Sequence, residues 1–140
     1  MAAIIHVCQF VVIFFLLSFS LSVEGAHEHV HVQNDVSPNT LLKVHCKSAD
    51  DDLGAQFIKY QQSYSWKFRD NLWMTTLFWC NLSWRDSDKH IRQGSGVFFE
   101  ANRDSFRCHQ HCYYSARRDG IYFMHGQTWE LAIDWSRKIR

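Results

Sequence analysis

From residue 26 onward the apolar side chains of this chain recur at every second position, the period of strands with one buried face. In residues 63–69, Tyr64, Trp66 and Phe68 share one side, and Ser63, Ser65, Lys67 and Arg69 share the other. Val30 and Val32 make a second such face, with His29, His31 and Gln33 opposite, and Leu42, Val44 and Cys46 make a third. Near the C-terminus Trp129, Leu131 and Ile133 are expected to point inward. The apolar run 74–84 suits a central strand covered on both sides, and 97–102, 107–116 and 120–124 are further strand candidates. Arg118-Asp119-Gly120 between apolar runs predicts a tight hairpin, because glycine accepts positive φ. Asp70-Asn71 and Gln93-Gly94-Ser95-Gly96 read as turns, and no stretch carries a helical stripe of three turns.

A length of 140 residues leaves room for one domain, and eleven Phe with six Trp require a packed core. Seven or eight short strands in one domain predict an all-β fold, a small antiparallel two-sheet β-sandwich. A small closed barrel is the alternative. A net charge of +1 lacks the basic footprint of a duplex nucleic-acid binder, so no nucleic-acid partner is expected.

Residues 1–25 read as a signal peptide. Residues 10–17 are eight apolar residues in succession, short for a bilayer span, and Val23 and Gly25 precede a cut before Ala26. Met1–His6 carries no Lys or Arg, and an anchored N-terminal helix is the competing reading. Cleavage removes Cys8 and leaves Cys46, Cys80, Cys108 and Cys112, an even set implying two disulfides in the domain spanning 26–140. No stable membrane insertion is expected after cleavage.

Four clusters invite a chemical reading. Cys108-His109-Gln110-His111-Cys112 has metal-ligand residue types, but on a strand the cysteines and histidines face opposite ways. His27, His29 and His31 line one strand face, where weak metal binding competes with an exposed polar edge strand. Asp50, Asp51 and Asp52 lack the alternation of a calcium loop and read as a solvated loop. His125-Gly126-Gln127-Thr128-Trp129 echoes one motif of secreted ribonucleases, which makes a secreted hydrolase with His125 in a catalytic role the alternative function. The second histidine motif of that chemistry is absent, and His125-Gly126 reads more simply as a turn. No catalytic constellation, metal or cofactor is expected. Asn81-Leu82-Ser83 is an N-glycosylation sequon, with Asn81 on the outward face beside Leu77 and Trp79.

The ordered set Val30-His31-Val32-Gln33-Asn34-Asp35, Leu42-Lys43-Val44-His45-Cys46-Lys47-Ser48 and Asp50-Asp51-Asp52-Leu53-Gly54 resembles the plant self-incompatibility protein (S-protein homologue) family. So do Tyr64-Ser65-Trp66-Lys67-Phe68, Thr75-Thr76-Leu77-Phe78-Trp79-Cys80, the Cys108 to Cys112 segment and Asp119-Gly120-Ile121-Tyr122. The chain departs from the family pattern at Tyr114, where tryptophan is frequent, and at Gln61-Gln62, where a glycine-containing turn is usual. The resemblance implies a small secreted plant β-sandwich with four cysteines, whose founding role is a stigma-secreted ligand engaging a pollen-surface receptor. It implies a plasma-membrane receptor protein as partner and an apoplastic location. It also makes Asp50, Asp51 and Asp52 a candidate partner-binding loop. Specificity is expected on the polar loops 48–55, 86–95 and 101–105, because loops vary over a packed scaffold.

If residues 107–116 form a strand, Cys108 and Cys112 stand ~13 Å apart and cannot bridge. That excludes Cys108–Cys112 and, with it, Cys46–Cys80. Cys46–Cys112 with Cys80–Cys108 is then favoured over Cys46–Cys108 with Cys80–Cys112.

Overall fold

The computed structural model describes residues 27–138 and the single position Ile4. The signal-peptide reading of residues 1–25, the cut before Ala26 and Cys8 lie outside the described residues. Among the described residues ten strands form two five-stranded sheets. They are β1 (His27–Asn34), β2 (Leu42–Lys47), β3 (Asp52–Ile58), β4 (Ser63–Arg69), β5 (Leu77–Arg85), β6 (Ile91–Glu100), β7 (His111–Arg117), β8 (Gly120–His125), β9 (Thr128–Ile133) and β10 (Ser136–Lys138). One helix, α1 (Ala101–Arg107), separates β6 from β7. The first sheet runs β4-β1-β7-β8-β9 and the second β10-β6-β5-β2-β3. The expected β-sandwich is therefore present. Its pairings are antiparallel except for β1 beside β7, which is parallel.

Alternation explains the core. Val30 and Val32 of β1, Leu42, Val44 and Cys46 of β2, and Phe78, Cys80, Leu82 and Trp84 of β5 are all buried. Phe98 and Phe99 are fully enclosed; Phe98 packs on Tyr114 with ring centroids 4.3 Å apart, and Phe99 meets Phe68 at 4.7 Å. The Tyr114 hydroxyl donates to the Phe98 carbonyl at 2.9 Å, so the phenol replacing tryptophan has its polar end satisfied. Buried Asn34 donates to the carbonyls of Thr40 (2.9 Å) and Ile58 (2.8 Å), tying the end of β1 to β3.

Several expectations change. Residues 107–116 are not one strand: the helix ends at Arg107, and His109 and Gln110 take positive φ (48° and 72°), reversing the chain before β7. Cys108 and Cys112 thereby come within 4.8 Å at Cα and form a disulfide. Cys46 and Cys80 are register partners across β2 and β5, 4.0 Å apart at Cα, and form the other. Both connectivities considered from sequence are thus overturned, because the extended geometry they assumed is replaced by a tight turn. The candidate strand 97–102 stops at Glu100, and α1 begins at the next residue.

Gly94 and Gly96 lie inside β6 rather than in a turn. A Cβ at Gly94 would sit 2.9 Å from Ile121 and 3.2 Å from Trp135, so the missing side chain admits the neighbours. The 118–120 hairpin forms, yet Gly120 begins β8 without positive φ; a Cβ there would collide with Leu131. In β9 a register shift opposite Ile121 and Tyr122 flips the alternation. Ile133 then pairs with buried Ile121, while Leu131 pairs with Tyr122 and is exposed. The run 74–84 is covered on one side only, leaving Leu77 and Trp79 partly in solvent.

Carboxyl groups are buried as well, at Glu28, Asp70 and Asp104. Glu28 is 2% exposed, and its Oε2 has no hydrogen-bond partner among the described residues. Burial, reinforced by Asp70 and Asp104, raises its pKa above the ordinary 4.5. Because the folded state favours the protonated form, its stabilising contribution is full below pH 4.5 and is lost as pH rises through the raised pKa. Glu28→Gln should therefore be more stable than the natural chain at pH 7, with a flatter decline between pH 4.5 and 7. Urea unfolding at both pH values measures this; an unchanged decline in the variant would assign the pH dependence elsewhere.

Candidate functional site

The strongest recognition geometry lies where the β2–β3 and β4–β5 connections meet. They border a cleft of about 430 Å³. Lys47 at the end of β2 contributes with Asp50 and Asp51 of the first connection, and Arg69 at the end of β4 with Asn71 and Thr75 of the second. The first is a tight turn: the Asp51 amide donates to Ser48 Oγ (3.1 Å), and the Ser48 amide donates to the Asp51 carbonyl (2.8 Å). Asp50 and Asp51 are exposed at its tip. Asp52 instead opens β3. The Gly54 amide donates to its Oδ1 at 2.9 Å, and His45 Nε2 lies 2.6 Å from the same oxygen; in that order these partners hold its pKa below the usual carboxylate value. The predicted Asp50–Asp52 loop thus divides into two rim residues and one strand-anchoring residue.

The second connection was not singled out from the sequence. Asn71 knots it: its Oδ1 accepts from the Thr75 amide (2.9 Å), its Nδ2 donates to Thr75 Oγ1 (2.8 Å), and its carbonyl accepts from the Met74 amide (3.0 Å). Met74 completes the reversal at φ 52°. The knot holds Leu72 and Trp73 in solvent, Trp73 at 84% exposure. Ser105 Oγ donates to Asp70 Oδ2 (3.1 Å), bringing α1 and its exposed Phe106 to the same loop. The one available sequence signal was a Leu-Trp pair directly after the Asp70-Asn71 turn. Large apolar groups placed in solvent beside charged rims are the usual anchors of protein–protein contacts.

The other predicted loops are shorter than expected. Residues 91–95 belong to β6 and 101–105 to α1, which leaves 86–90 as a turn pinned by Asp86. Asn81 is half-buried on the outward face of β5, opposite His45 and Ser95. His125 ends β8, next to the turn in which Gly126 takes φ 63°; His125 Nδ1 is 3.2 Å from Glu130 Oε1, with both side chains exposed. β1 is an interior strand between β4 and β7, not an edge, so its outward histidines face neighbours on both sides. His29 and His31 meet His111 there, whereas His109 remains in the turn. Among the described residues no helix is long and apolar enough to cross a membrane.

Comparison with known proteins matches residues 29–135 to the plant self-incompatibility protein S1 family model. S-protein homolog 24 of Arabidopsis thaliana is 35% identical over 125 residues, covering 84% of this chain and 79% of that protein. S-protein homolog 20 of the same plant is 32% identical over 132 residues, covering 94% and 93%. A solved structure of self-incompatibility protein homologues, described as small, highly stable, secreted plant proteins, superposes with a TM-score of 0.57 at 23% identity. That match covers 81% of this chain and 97% of the other, and it supports the fold.

Proposed function

Because this chain belongs to the plant self-incompatibility protein S1 family, we propose that it is a secreted, disulfide-linked ligand that recognises a plasma-membrane receptor protein in the apoplast. Secretion is supported by the description of the solved homologues, by the apolar segment before residue 26 and by two disulfides in the domain. In this reading residues 1–25 are removed and Asn81 carries a glycan on the outer sheet face.

The observation that carries the recognition site is Trp73, held in solvent by the Asn71 knot, in the connection whose Asn71 and Thr75 line the cleft together with Asp50 and Asp51. A tryptophan so placed loses little stability when truncated yet offers a large apolar area to a partner. The cleft between the two connections accepts a partner side chain, and its mixed Lys47, Arg69 and Asp50, Asp51 border selects among partners by charge.

The test exchanges residues 48–51 and 70–76 for those of S-protein homolog 24. Proteins captured from plant plasma membranes should change to the donor's set while the melting temperature stays nearly constant. Trp73→Ala should reduce capture at least ten-fold. If capture is unchanged by both alterations and falls only with substitutions on strand faces, the recognition site is misplaced.

A further inference from the structure

On the outer face of the first sheet, strand geometry assembles a second site. Alternation along β1 aims His29 and His31 to the same side, and the parallel register sets His111 of β7 directly beside His29. The three imidazoles form one group whose ligand nitrogens all lie within 4.8 Å of one another. We propose that His29, His31 and His111 bind a single divalent transition-metal ion of the imidazole-preferring class, with Zn²⁺ as the reference occupant.

The spacing suits such an ion. Two nitrogens of a tetrahedral zinc site, with Zn–N about 2.0–2.1 Å, stand ~3.3 Å apart. His31 Nε2 and His111 Nδ1 are already 3.1 Å apart. The rings now stack nearly parallel, between 8° and 18° from one another, so rotation about the side-chain torsions must turn their in-plane lone pairs toward one ion. The partly exposed position of His29 leaves room for that movement. Tyr113 stacks on His31 with centroids 4.6 Å apart and flanks the group.

The surroundings separate this trio from three other histidines of the described residues. His45, His90 and His125 each lie against a carboxylate, Asp52, Asp86 and Glu130 respectively. Among the described residues no carboxylate is ion-paired with His29, His31 or His111. Burial and the neighbouring imidazoles, with Lys67 beside His29, hold the pKa values of His29 and His31 below the usual histidine range. Three nitrogens leave at least one coordination position open on the solvent side, available to water or to a donor from another molecule.

Calorimetric titration of the secreted chain with Zn²⁺ alone should show one equivalent bound. His31→Ala and His111→Ala should each weaken it at least ten-fold, while His45→Ala and His125→Ala leave it unchanged. In the unaltered protein, the ring resonances of His29, His31 and His111 should shift together up to one equivalent, a readout that depends on no variant folding. Absence of saturable binding at submillimolar Zn²⁺ would overturn the assignment. So would shifts confined to other histidines, or affinity preserved in the His31 and His111 variants. Receptor capture by the Trp73 loop is a separate measurement, so either result stands without the other.

Discussion

Replacing Cys46 and Cys80 together by alanine should lower the unfolding free energy by about 4 kcal/mol, roughly twice the effect of replacing Cys108 and Cys112. The first bond joins residues 34 apart and the second residues 4 apart. Closing the longer loop removes more freedom from the unfolded chain; the chain-entropy relation gives roughly 2 kcal/mol for the short one. For a domain of this size the larger loss corresponds to a melting temperature lower by on the order of 15–20 °C. Denaturant unfolding followed by tryptophan fluorescence measures both variants. Equal losses would show that chain entropy is not the main term. Non-reducing peptide mapping should yield a Cys46–Cys80 linked pair and a Cys108–Cys112 linked pair; any linkage between the two sets would contradict the fold around α1.

The second large effect is expected at Asp104, which is fully buried. Its carboxylate accepts from the Glu100 amide at 2.8 Å, and it pairs with Arg103 Nη2 at 2.8 Å and Arg107 Nη2 at 2.6 Å. It therefore fixes the start of α1 and both cations of that helix. Arg103 in turn donates to the Val97 carbonyl, and the Arg107 guanidinium lies 3.7 Å from the centre of the Phe123 ring. Breaking a buried pair costs ~3–5 kcal/mol, and the partial exposure of both arginines places Asp104→Ala near the lower end. Asp104→Asn keeps an acceptor for the Glu100 amide and should lose less. Thermal unfolding checks the order; a loss under ~1 kcal/mol in the alanine variant would mean that water replaces the carboxylate freely.

The strands that could be read from sequence are those whose two faces differ in chemistry. β1, β2 and β4 alternate valine, leucine or aromatic residues with His, Lys and Ser, so register and burial followed together. β3 was missed because an edge strand holding Leu53, Ala55 and Phe57 half in solvent needs no clean alternation. α1 left no stripe, since only Ala101 and Asp104 of its seven residues are buried. The disulfides were misassigned for a single physical reason: His109 and Gln110 adopt positive φ without glycine, a reversal that residue type does not announce. At the candidate site, Asp50 and Asp51 were legible as a charged loop. Trp73 was not, because only the Asn71 knot distinguishes an exposed tryptophan from one more core aromatic.

Saturation binding of the labelled chain to plant plasma-membrane vesicles tests the ligand reading most directly. Binding should be saturable and removed by protease treatment of the vesicles, competed by the unlabelled natural chain and at least ten-fold less well by Trp73→Ala. Non-saturable binding, or binding that survives protease treatment, would contradict that reading.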